Sequence, residues 1–142
     1  MLYTVGYEGR ELDGFVTLLQ RHRVDELIDV RLTPSSRKPG FSKVRRSEAL
    51  GDAGIAYRHL RELGNPRENR DGFRRREQEA FDTYRAHLGN GSRQAVDTVV
   101  DAARQRSVAL LCFERDVTTC HRHIVVEVAQ EQAPSLPVLH LE

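Results

Sequence analysis

Six consecutive apolar residues, Val108-Ala-Leu-Leu-Cys-Phe113, stop abruptly at Glu114-Arg115-Asp116, and after a Thr-rich link Cys120-His121-Arg122 opens a new segment with apolar residues at Ile124, Val125, Val126, Val128 and Ala129. The pattern is that of a buried strand, a tight loop and the start of a helix. A strand that is apolar at every position is one covered on both faces, which points to a sheet packed between helices. In open sheets of that kind, sites gather beyond the carboxyl ends of the strands. The loop after Phe113 brings two thiols, a carboxylate, an imidazole and a guanidinium to one such place.

The rest of the chain agrees with this reading. Leu2-Tyr-Thr-Val-Gly6 reads as a short strand leading into a turn at Gly6-Tyr7-Glu8-Gly9, where both glycines are expected to supply positive φ. Phe15, Leu18, Leu19 and Val24 line one face of a helix, and Glu26-Leu-Ile-Asp-Val-Arg31 reads as a second buried strand, completing a βαβ unit. An irregular stretch, 32–42, with two prolines and a Pro-Gly pair, precedes a helix through Val44 and Leu50. Ile55–Leu60 is a third strand. Residues 67–79 are dense in charge and poor in apolar groups, as in a mobile loop or an exposed helix. Phe81, Tyr84 and Leu88 restore helical spacing, and Ser92 is placed to cap a helix with Ala95, Val96, Val99, Val100 and Ala103 on its buried face. Leu136–Leu141 is the last strand. The expectation is an α/β fold, one domain over residues 1–142, with a mostly parallel five-stranded sheet and helices on both faces. Right-handed crossovers then bring the loops after residues 5, 31, 60 and 113 to one sheet edge.

Composition narrows the function classes. The chain is 39% hydrophobic and 30% charged, as ordinary globular proteins are. No apolar run approaches the roughly 18 residues that cross a bilayer. The N-terminus enters a strand without the basic and apolar regions of a signal peptide. The expected compartment is the cytoplasm, with Cys112 and Cys120 as reduced thiols. The overall charge of +1 conceals a basic middle, where residues 31–76 carry thirteen Arg or Lys against five acids. Such a segment suits phosphate or another polyanion, although a solvated Arg-rich surface would have the same composition. Neither a Walker-type loop nor GxGxxG occurs, and no cofactor is expected.

Several residues are candidates for chemistry. Glu114 and Asp29 end buried strands, where a carboxylate is either paired with a cation or serves as a general acid or base. Arg122, in the first turn of a helix, opposes the helix dipole and needs a bound anion or a carboxylate such as Glu114 or Asp29 to explain it. Ser36, Arg37 and Lys38 fit a phosphate clamp beside Gly40, and Arg31 is a further phosphate ligand. Tyr7 and Phe41 are placed to stack on a base, unless Phe41 is tucked into the core. Cys112 reads as a small core hydrophobe or a nucleophile, and Cys120 lies where a helix dipole favours thiolate. With His121 the two form a thiol or polar site. Their spacing lacks the two close pairs usual for zinc, and no metal is expected.

Laid end to end, these stretches resemble the bacterial and archaeal family known as domain of unknown function 488. The resemblance rests on Thr4-Val-Gly-Tyr7, Phe15 and Leu19, Leu27-Ile-Asp-Val-Arg31, Pro34-Ser-Ser-Arg-Lys-Pro-Gly-Phe-Ser42, Ala53-Gly-Ile-Ala-Tyr57, His59-Leu60 with Leu63-Gly64, Ala109–Glu114 and Cys120-His121-Arg122. It departs at Asn65-Pro66 and in the shortened Arg-rich stretch 67–79. The resemblance implies a fold and a site position, and no reaction. A weaker likeness, to rhodanese-like domains, would make Cys112 a thiol nucleophile. Position 118 is then Thr where those domains carry Arg, and Glu114 and Asp116 would raise the thiol pKa. The function expected is an enzyme hydrolysing a glycosidic or phosphoester bond of a nucleotide or nucleic acid. Its partner would be nucleic acid or a phosphorylated small molecule. A noncatalytic nucleic-acid-binding module and a thiol-based enzyme are the alternatives.

Overall fold

The computed structural model describes residues 1–34 and 41–142. Five strands, β1 (Leu2–Gly6), β2 (Glu26–Asp29), β3 (Ala56–His59), β4 (Val108–Cys112) and β5 (Val138–Leu141), form one parallel sheet in the order β3-β2-β4-β1-β5. Six helices join them, α1 (Leu12–Arg21), α2 (Lys43–Asp52), α3 (Arg70–Arg74), α4 (Gln78–Gly89), α5 (Arg93–Gln105) and α6 (Arg122–Gln132). The expected α/β architecture is the observed one. No helix among the described residues is long and apolar enough to cross a membrane.

Every residue of β4 is buried because β1 and β2 pair with its two edges and helices cover both faces. Alternation along the strand divides the core. Ala109 and Leu111 join Val5, Leu27, Phe15, Leu19 and Leu50 under α1 and α2. Val108, Leu110 and Cys112 face the other side, with Ile28, Tyr84, Val96, Val99 and Val125 under the remaining helices. On α5 the stripe Ala95, Val96, Val99, Val100 and Ala103 is the buried face, as its spacing requires.

The topology locates a crevice. From β1 the chain runs through α1 to β2, and from β4 through α6 to β5, so these adjacent strands send their connections in opposite directions and to opposite faces. One crossover hand forces that separation. The carboxyl ends of β1 and β4 are therefore the switch point, with Gly6 and Cys112 in register.

Some local expectations are corrected. Gly9 does adopt positive φ (73°), whereas Gly6 does not. What Gly6 supplies is room, since a Cβ there would overlap the Glu114 carbonyl group. Ser92 occupies the first position before α5, but its hydroxyl donates to the Glu62 carbonyl at 2.7 Å instead of capping the helix. Residues 67–74 form a turn of 3-10 helix and the single-turn α3. They are anchored by Phe73, which is 1% exposed and packs on Phe81 and Tyr84.

Candidate functional site

The loops after β1, β2, β3 and β4 meet at one sheet edge around a cavity of about 350 Å³. Tyr7 comes from the first loop and Arg31, Leu32 and Thr33 from the second. Asn65, Arg67, Arg70, Phe73 and Arg74 come from the third, and Cys112, Phe113 and Glu114 from the end of β4. Thr119, Cys120 and His121 close the wall at the entry to α6. Four guanidinium groups thus share a concave surface with one carboxylate. Arg74 approaches Glu114 at 3.7 Å, and Arg31 is paired with Asp29. Arg67 and Arg70 make no ion pair with any described residue.

Asp29 is fully buried and has no access to this cavity. Its carboxylate accepts from Arg31 Nε (2.9 Å), Arg31 Nη2 (2.7 Å) and the Tyr57 hydroxyl (2.5 Å). Burial alone would lower the Arg31 pKa, and the Asp29 carboxylate more than offsets this, leaving it raised. Arg31 also donates to the Tyr7 hydroxyl (2.9 Å) and to the Pro34 carbonyl (2.9 Å). The general-base expectation for Asp29 is therefore replaced by a structural one: the pair holds the loop after β2 against β1.

Phe41 is 1% exposed, stacked on Tyr7 with centroids 5.0 Å apart and edge-on to Phe15. It belongs to the core and is not available to stack on a base. Tyr7 lines the cavity but is itself only 4% exposed. The aromatic ring that the cavity does present is Phe113, 38% exposed and edge-on to Tyr7. Ser36, Arg37 and Lys38, the expected phosphate clamp, lie outside the described residues.

Arg122 is 1% exposed and sits behind the cavity wall. Its Nη2 donates to the Glu114 backbone carbonyl at 2.7 Å, so it braces the turn that carries Glu114 and pairs with neither expected carboxylate. Its Nε and Nη1 are buried without an acceptor among the described residues. Arg122 is thus a positioning residue for the loop and not a ligand of the cavity.

The thiol group of residues is assembled. Cys112 Sγ lies 3.5 Å from Glu114 Oε2 and 4.0 Å from His121 Nδ1, and Cys120 Sγ lies 3.7 Å from that same nitrogen. Nε2 of His121 is 2.7 Å from the Val30 carbonyl, which only accepts, so Nε2 carries a hydrogen, and in the neutral imidazole Nδ1 then turns its lone pair to the sulfurs. Tyr84 packs edge-on against the imidazole at 5.2 Å. A hydrogen bond with Cys120 and burial push the Cys112 pKa well up, which disfavours the free thiolate in the absence of a bound cation.

Sequence reasoning missed Arg67, Arg70, Arg74 and Phe113 as wall residues. The charge density of 67–79 was the available signal for the arginines. For Phe113 it was its place at the point where β4 leaves the sheet.

The chain is a doubly wound α/β protein with a polar cavity at the switch point of its parallel sheet, beyond the strand ends. Within that class, the model of the family described as Domain of unknown function DUF488 matches residues 11–129, and the chain belongs to that family. Comparison with curated proteins and with solved structures gave no match.

Proposed function

We propose that the chain is an enzyme acting on a phosphorylated substrate of the nucleotide or nucleic-acid class, hydrolysing a phosphoester or glycosidic bond at the β1–β4 switch point. The observation that carries this reading is the arginine-rich wall facing Glu114, in which Arg67 and Arg70 have no carboxylate partner among the described residues. Unpaired guanidinium groups on a concave surface attract anions and match phosphate oxygens in a bidentate manner. Phe113 offers a partly exposed aromatic face for a base. Glu114, whose side chain is 18% exposed, reaches the cavity and is the group for proton transfer. It takes a proton from the attacking water and returns it to the leaving atom, an oxygen for a phosphoester and a base nitrogen for a nucleotide's glycosidic bond, so that one water is consumed per bond broken.

The test is turnover and binding in parallel, with nucleotides and short oligonucleotides as probes. A Glu114→Gln chain that still binds but no longer hydrolyses supports the reading. A chain that binds them, with no hydrolysis in either form, would be a nucleic-acid-binding module instead.

A further inference from the structure

We infer that Cys112, Cys120 and His121 form a binding site for a divalent metal ion of the zinc class, open to the cavity at its fourth position. The three donor atoms lie within 4.8 Å of one another although they arise from the end of β4 and the entry to α6. A tetrahedral zinc ion bound at about 2.3 Å to sulfur and about 2.0–2.1 Å to nitrogen sets its donors about 3.6 Å (S to N) and about 3.8 Å (S to S) apart. The two sulfur-to-nitrogen distances, 3.7 and 4.0 Å, need only a few tenths of an ångström of closure, and the two sulfurs, within 4.8 Å of each other, need at most about 1 Å.

The surroundings are those a metal ligand needs. His121 is 6% exposed, and its Nδ1 faces only two thiols, which are weak hydrogen-bond donors. The Val30 carbonyl holds Nε2–H and so fixes the tautomer and the ring, the support that ligating imidazoles usually have. Two thiolates and a neutral imidazole select a borderline-soft ion over magnesium or calcium. Two thiolates would also neutralise the ion's charge, so the buried site would carry no net charge. All three residues line the cavity, which is the entry path, and Glu114 Oε2 stands 3.5 Å from Cys112 Sγ on the open side. Three protein ligands with one open position is the pattern of catalytic rather than structural zinc. The ion's binding stands on the donor set alone. Its use, polarising a phosphoryl oxygen or a bound water, rests on the substrate reading above.

The experiment is titration of the reduced, chelator-stripped full chain with cobalt(II), followed by displacement with zinc(II), with no phosphorylated compound present. The result expected is one cobalt per chain with thiolate-to-metal charge-transfer absorption and the intense visible bands of tetrahedral cobalt, both bleached by one equivalent of zinc. Cys112→Ser and Cys120→Ser should each weaken zinc binding at least about tenfold, since even supporting residues around a metal are worth that much. Zinc should also protect both thiols from iodoacetamide. A wild-type chain that develops no charge-transfer band with excess cobalt overturns the inference, and this readout does not depend on any variant folding. So does a Cys112→Ser/Cys120→Ser chain that binds zinc as the wild type does. Because no phosphate is used, failure here leaves the substrate reading standing, and cobalt binding in a chain indifferent to nucleotides would remove the substrate reading alone.

Discussion

Arg31 closes on Asp29 through two hydrogen bonds, Nε to Oδ1 at 2.9 Å and Nη2 to Oδ2 at 2.7 Å, with both side chains almost wholly out of solvent. Breaking a buried pair on one side strands the other charge. Asp29→Ala should therefore destabilise the fold by about 3–5 kcal/mol, measured by urea unfolding. A loss below about 1 kcal/mol would mean that Arg31 finds equivalent partners elsewhere.

Tyr57 donates to that same Asp29 carboxylate, and burial followed by this hydrogen bond pushes its pKa up to about 12. Burial also raises Tyr84 well above the usual phenol range. The folded chain thus holds these protons more tightly than the unfolded one. For Tyr57 the contribution to stability is complete below the unfolded pKa of about 10 and is lost as pH climbs through about 12, and for Tyr84 it is lost only above the usual phenol range. Ultraviolet titration should show Tyr57 and Tyr84 ionising above the usual phenol range, with unfolding in the same alkaline window. Tyr57 and Tyr84 ionising near pH 10 in a folded chain would contradict this.

Gly6 packs against the backbone that carries Glu114. Gly6→Ala should cost about 1–3 kcal/mol, because the overlapping atoms are main chain and cannot rotate away. Thermal unfolding checks this. An unchanged midpoint would show that the loop after β4 is free to shift.

Phe113 and the arginines divide the substrate between them in this account. Phe113→Ala should weaken nucleotide binding by about 1–3 kcal/mol and leave pyrophosphate binding unchanged. Calorimetry with both probes decides it. Equal losses for the two would mean that Phe113 shapes the cavity without touching a base.

Much of the architecture was legible because β4, covered on both faces, is written as an apolar run, and β2 keeps an apolar Leu27-Ile28 centre between two acids that are paired within the fold. Crossover handedness then sufficed to bring four loops to one edge. The identity of the cavity wall was less legible. Phe41, beside a Pro-Gly pair, looked like a loop aromatic, yet Tyr7 and Phe15 bury it. Asp29 looked like a candidate base although Arg31, two residues on and on the same side of an extended chain, was its legible partner, while Tyr57 reaches it only once β2 and β3 pair. In 67–79 a lone Phe73 anchors a single helical turn, too small an apolar signal to stand out among charges. Cys120 and His121 meet Cys112 because the loop between them closes on itself, so their sequence spacing does not resemble paired metal ligands.

The arginine wall is expected to hold phosphate. The most direct test is binding of a labelled mononucleotide and of short single-stranded DNA and RNA across a salt series, to the wild-type chain and to Arg67→Ala/Arg70→Ala. The account predicts wild-type affinity that falls steeply with salt, and in the variant a weaker affinity whose logarithmic salt slope is shallower by about 1 per arginine removed. Equal affinity and slope in the two chains, or no binding of any probe at low salt, would contradict it.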